Sequence, residues 1–91
     1  MIINQQAGQP ACTNSKIMHM IFIRENCETE LTLEVCEEFK IIKRVDNFND
    51  GRKVETIEKY DSSWSDETVR FFFVSRANAI VSNGGKIKNI L

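Results

Sequence analysis

The chain has 91 residues, 42% of them hydrophobic and 27% charged, with a formal net charge of −1. Those values fit one domain, 1–91, with a modest core that hides roughly 60–65% of the surface an unfolded chain would expose. They exclude general electrostatic attraction to nucleic acid. The longest uncharged, largely apolar run, Ile17 to Ile23, is far short of the roughly 20 residues of a membrane helix, so no membrane partner is expected.

Residues 1–15 are polar and hold Gly8 and the only proline, Pro10; they read as a loose N-terminal arm. The first residues carry neither a basic n-region nor an apolar h-region, so no secretory signal is expected. Cys12, Cys27 and Cys36 are an odd number and read as free thiols in a reducing, cytoplasmic compartment. A composition rich in Ile, Asn, Lys and Glu hints at an AT-rich genome, such as those of many phages and some bacteria.

Lys16 to Arg24 is the first strand. Ile17, Ile21 and Ile23 alternate with Met18, Met20 and Phe22, so both faces are apolar and the strand is expected at the centre of a sheet. From Leu31 onward, apolar side chains fall on odd positions: Leu31, Leu33, Val35, Phe39, Ile41 and Val45. Period 2 predicts strand with one face on a core. Glu37 falls on the apolar face, which predicts a bulge or break near Cys36-Glu37-Glu38 and leaves open one bent strand or two. A helix over 30–45 competes, because Leu31, Val35, Phe39 and Ile42 also sit at helical spacing. Asp46 to Gly51 is a turn, and Lys53 to Tyr60 returns as a more polar edge strand.

Glu67 to Ser75 holds three consecutive phenylalanines and two valines, a composition that favours strand. A helix over 66–83 is the alternative: Val69, Phe72, Phe73, Ala77, Ile80 and Val81 form a helical stripe with Gly84 placed to end it. Asn83-Gly84 reads as the turn of a final tight hairpin running from Ala79 to Leu91. The sum is an all-β fold, a small antiparallel barrel or sandwich of about six or seven short strands; the alternative is α+β with helices at 30–45, at 66–83, or at both.

Chemistry is sparsely signalled. His19 is the only histidine and lies in the most apolar strand, so it reads as structural. Cys12, His19, Cys27 and Cys36 are separated by six, seven and eight residues and lack the close ligand pair of a zinc knuckle. Asp46-x-Phe48-x-Asp50-Gly51 places Phe48 and later Ile57 where a calcium loop needs oxygen ligands. No glycine-rich phosphate loop occurs. No catalytic residue, cofactor or metal site is expected, and the protein is not read as an enzyme. Cys36, on the polar face in this register, is the expected exposed and oxidisable thiol.

The charges are segregated. Glu25, Glu28, Glu30, Glu34, Glu37 and Glu38 form an acidic block, and Lys40, Lys43, Arg44, Arg52 and Lys53 follow as a basic one. Turn aromatics Phe48 and Trp64 could anchor a partner. Lys40, Lys43, Arg44, Phe48, Arg52, Lys53 and Trp64 are therefore the expected partner-binding residues of a small protein-binding module. Inhibitor, immunity, anti-defence or adaptor proteins of phage or bacterial type are the kinds that need no more than this. The partner is expected to be another protein, with a homodimer through the sheet edge near Lys53–Tyr60 as a further reading. Two alternatives remain: a single-stranded nucleic-acid-binding β-barrel using Phe48, Arg44, Arg52, Lys53 and Arg70, and a structural subunit of a virion or multi-subunit assembly.

Overall fold

The computed structural model describes residues 15–36 and 38–90. Its elements in chain order are β1 (Ser15–Ile23), β2 (Cys27–Val35), β3 (Phe39–Phe48), β4 (Lys53–Asp61), α1 (Asp66–Ser82) and β5 (Lys86–Ile90). The strands form one antiparallel sheet in the order β4-β3-β2-β1-β5. The first four make a meander; α1 then carries the chain back across the sheet to add β5 beside β1. β1 is an interior strand and β4 an edge, as their compositions predict, but β1 is not covered on both sides as its two apolar faces suggest: its His19 and Ile21 face lies on the open side of the sheet. The loose arm expected over 1–15 lies outside the described residues except for Ser15, which opens β1.

The fold is mostly β, but two expectations are corrected. The sheet is open, with five strands among the described residues, and is neither a closed barrel nor a sandwich of six or seven. Residues 66–82 are a helix, not a strand followed by a hairpin. Local chemistry explains the second outcome. Ser65 is the N-cap, its Oγ accepting from the Thr68 N–H at 3.1 Å, and Asp66 and Glu67 complement the positive end of the helix dipole. At the other end Gly84 takes φ +99, its N–H donates to the Val81 carbonyl, and the Gly85 N–H donates to that of Ile80 at 2.9 Å. Asn83-Gly84 thus closes a helix by a Schellman motif rather than turning a hairpin. Between the caps, Val69, Phe73, Ala77 and Ile80 place one buried stripe on the sheet, and that packing outweighs the weak helix propensity of Phe71-Phe72-Phe73.

The core is a single layer between α1 and the sheet: Phe22, Leu31, Leu33 and Ile42 against Val69, Phe73, Ala77 and Ile80. Fully burying side chains such as Phe22, Leu31 and Phe73 stabilises by about 1.5–3 kcal/mol each. The break expected at 36–38 is present: β2 ends at Val35, and the Cys36 N–H donates to the Phe39 carbonyl across the turn. It has a consequence for facing. Leu31 pairs with Arg44, Leu33 with Ile42 and Val35 with Lys40, so odd residues of β2 share a face with even residues of β3. Leu31 and Leu33 face the helix, whereas Phe39, Ile41 and Val45 lie on the opposite, open face. The single apolar face expected over 31–45 is therefore divided between the two sides of the sheet.

Candidate protein-binding surface

The register distributes the seven predicted residues over both faces. Lys40 points under the helix, is 8% exposed, and donates from Nζ to the Trp64 carbonyl at 2.6 Å while pairing with Asp66 at 3.3 Å. It serves as a brace for the β4–α1 turn. Arg44, also on the helix side, gives its Nε to both oxygens of Asp46 at 3.2 and 3.1 Å. Lys43 and Lys53 stand on the open face, Lys43 within 3.2 Å of Glu55. Phe48 and Arg52 meet at the hairpin tip, the guanidinium 4.5 Å from the ring centroid, with Arg52 Nε held by Asp50 at 2.8 Å. Trp64 leaves the tip of another turn at the far end of β4.

The acidic and basic blocks thus meet rather than separate. Glu30, Glu34 and Glu55 stand with Lys43 and Lys53 around a shallow cavity of about 180 Å³ on the open face. His19 pairs there with Glu30, and Lys88, the extra residue at a bulge between β1 and β5, reaches Glu28 at 2.9 Å. Adjacent antiparallel strands of opposite sign pair across the sheet, so the sequence blocks leave no broad one-signed field.

A buried polar cluster holds the opposite end of the covered face. Asp46 accepts from Thr29 Oγ1 at 2.6 Å, from Arg44 and from Arg24 Nη1 at 3.4 Å, and that same Arg24 nitrogen lies 3.4 Å from the Cys27 sulfur. Thr29 is fully buried. Two guanidinium groups and a hydroxyl on one carboxylate satisfy a charge that would otherwise be costly inside. Cys27 is a free, buried thiol. Cys36 is buried too and is disulfide-bonded, which corrects the expectation of an exposed thiol there; a disulfide also removes the support that free thiols gave to a reducing compartment.

The surface that sequence reading missed lies on α1. Tyr60, Trp64 and Phe72 form a ring cluster with centroids 5.5 to 5.7 Å apart, and Phe71 extends it at 6.3 Å from Phe72. Phe72 and Tyr60 border the core, whereas Phe71 is 67% exposed and Trp64 is 42% exposed. Val74, three residues after Phe71, is exposed on the same part of the helix; Val81, which the helical stripe in the sequence set toward the core, is exposed as well, with Asn78 between them. Arg70 stands exposed beside Phe71, with no ion-pair partner among the described residues. The helical stripe in the sequence held the signal: Phe71 falls outside it and so projects outward.

Below the rings a polar network ties edge strand to helix. Arg76 grips Glu58 in a fork, Nη2 to Oε1 at 2.7 Å and Nε to Oε2 at 3.0 Å, and Tyr60 donates its hydroxyl to Glu58 at 2.6 Å. The guanidinium holds the Glu58 carboxyl below its ordinary range. Burial, with the neighbouring carboxylate, pushes the Tyr60 hydroxyl up. These hydrogen bonds tie Tyr60, at the base of the ring cluster, to Glu58 on the edge strand and Arg76 on the helix.

Among the described residues no three His, Cys, Asp or Glu side chains converge on a point that could hold a metal ion. No helix there is long and apolar enough to cross a membrane. Phe48, Arg44, Arg52, Lys53 and Arg70, the residues a nucleic-acid reading needs together, are spread over the hairpin tip, both sheet faces and the helix. No family model, curated protein or solved structure matches the chain.

Proposed function

We propose that this chain is a protein-binding module, of the kind that acts as an inhibitor or adaptor, and that it engages its partner through the outward side of α1 around Trp64 and Phe71. The observation that carries this reading is the pair of exposed rings, Trp64 and Phe71, bridged by the half-buried ring of Phe72, with exposed Val74 one turn after Phe71. Large exposed apolar rings beside Arg70, which has no ion-pair partner among the described residues, match the anchors of protein interfaces, where Trp, aromatic side chains and Arg dominate the energetics. Arg70 suits a partner that offers an apolar pocket rimmed by carboxylates.

The test is binding, measured quantitatively. The tagged chain is used to capture a partner from its native lysate, and the affinity of the isolated pair is then measured by calorimetry for wild type, Phe71→Ser and Trp64→Ala. Loss of a hot-spot ring should weaken binding by about 30-fold or more. A partner that binds both variants as tightly as wild type would show that the surface lies elsewhere. Capture by the open face instead would appear as sensitivity to Lys43→Glu and Lys53→Glu alone.

A further inference from the structure

The outer edge of β4 has a property independent of the helix surface. β4 is paired with β3 on one side only, and no described strand covers its other side. The phase of its hydrogen bonds follows from the hairpin tip, where the Phe48 N–H donates to the Arg52 carbonyl at 2.9 Å. The pairing then runs without a shift from Asn47↔Lys53 to Phe39↔Asp61. Backbone groups of alternate residues point to opposite sides of a strand. Even residues of β4 therefore bond to β3. Lys53, Glu55, Ile57, Lys59 and Asp61 turn both their N–H and C=O groups outward.

Those five side chains occupy one face, and their order along the strand is basic, acidic, apolar, basic, acidic. Reversed, the order is acidic, basic, apolar, acidic, basic, its own complement. We infer that β4 pairs antiparallel with β4 of a second copy, centred on Ile57, to make a continuous ten-stranded sheet. In that register Ile57 meets Ile57 of the second copy, Glu55 meets Lys59, and Lys53 meets Asp61, each pair at a position where outward backbone groups face each other.

No neighbouring register does as well. Moving the centre to Thr56 sets Lys53 against Lys59, and moving it to Glu58 sets Glu55 against Asp61. Centres at Glu55 or Lys59 set each of those charges against itself. Like charges directly opposite destabilise a strand pair, and opposite charges favour it. On the helix side the centred register puts Val54, 46% exposed, opposite Tyr60 of the second copy; on the open face it sets Ile57, 56% exposed in the single chain, against its own copy.

The far edge among the described strands, β5, differs. β5 carries Lys86 and Lys88 and no acid, so its pairing with its own copy sets like charges close together. Among the described strands only the β4 edge is self-complementary in charge, and pairing there closes a two-fold dimer.

Sedimentation equilibrium of the full chain over a concentration series is the test. Wild type should move from 10.5 kDa toward twice that mass. Glu55→Lys, or Lys59→Glu, should raise the dissociation constant about tenfold or more, and the double variant E55K/K59E should return it to within about threefold of wild type. Ile57→Pro removes an N–H that points away from β3, so it should abolish the dimer while leaving the circular dichroism spectrum unchanged. Phe71→Ser should leave the dimer intact, which separates this inference from the helix surface. A wild-type chain that stays at 10.5 kDa throughout, or a double variant no more dimeric than the single ones, overturns the proposal.

Discussion

The two faces of the sheet solve the same problem by different means. The helix-covered face buries Phe22, Leu31, Leu33 and Ile42, and the polar groups it admits are satisfied inside: Lys40 by Trp64 and Asp66, Asp46 by Thr29 and two arginines. The open face carries interleaved Glu and Lys side chains in pairs that water can reach, such as Lys43 with Glu55. Lys40 and Lys43 are three residues apart on one strand, and strand alternation alone sends them to opposite environments. What this teaches is that a charge in this chain acquires its role from its register partner and not from the block in which it lies.

That contrast can be broken at its strongest point first. Phe73→Ala removes a fully buried ring from beneath the helix and should cost about 3–5 kcal/mol, read as a shift in the midpoint of urea unfolding. A cost below about 1 kcal/mol would mean that the helix packs loosely on the sheet. Next comes the matched pair of lysines. Lys40→Met leaves the Trp64 carbonyl without its donor and should cost about 1–3 kcal/mol, with a change in tryptophan fluorescence as Trp64 loosens. Lys43→Met, on the open face, loses a surface ion pair and should cost about 0.2–1 kcal/mol. Equal effects would erase the distinction between the faces.

A pH-dependent effect sharpens the comparison at the sheet edge. Arg76→Ala removes the fork on Glu58, a half-exposed pair that contributes on the order of 1 kcal/mol. Its sign with pH is fixed: Glu58 titrates lower in the folded chain than in the unfolded one, where its ordinary value is 4.5. The stabilisation is therefore present above about pH 4.5 and is lost as pH falls through the lowered folded value. Stability measured between pH 7 and pH 3 should show wild type and Arg76→Ala converging toward the acid end. A difference that stays constant over that range would assign the effect of Arg76 to its packing on Phe72 instead.

Much of the sheet was legible. Period-2 alternation marked the strands, the polar character of Lys53–Tyr60 marked an edge, and Glu37 marked the break that separates β2 from β3. The helix was legible as an alternative, because one stripe served both periods: three adjacent phenylalanines satisfy an alternating pattern locally, while Val69, Phe73, Ala77 and Ile80 satisfy a helical one over a longer range. The Ser65 cap and the Gly84 terminus would have decided it, since each has a specific backbone partner in a helix. Of the proposed binding surface, only Trp64 was legible. Phe71 could not be recognised as exposed until the element was known to be helical, because in a strand it would share the face of Val69 and Phe73.

Composition and periodicity alone indicated a small, mostly β fold with an interior first strand and a polar edge. Those features depend on local composition and on periodicity, which each segment carries within itself. The tertiary structure decided which face each charge occupies, that the signs interleave on the open face, and that Trp64 joins Tyr60, Phe72 and Phe71 in one surface. Such properties depend on register between segments distant along the chain. A turn of one residue more or less would exchange the faces of a whole strand, and no local pattern fixes that count.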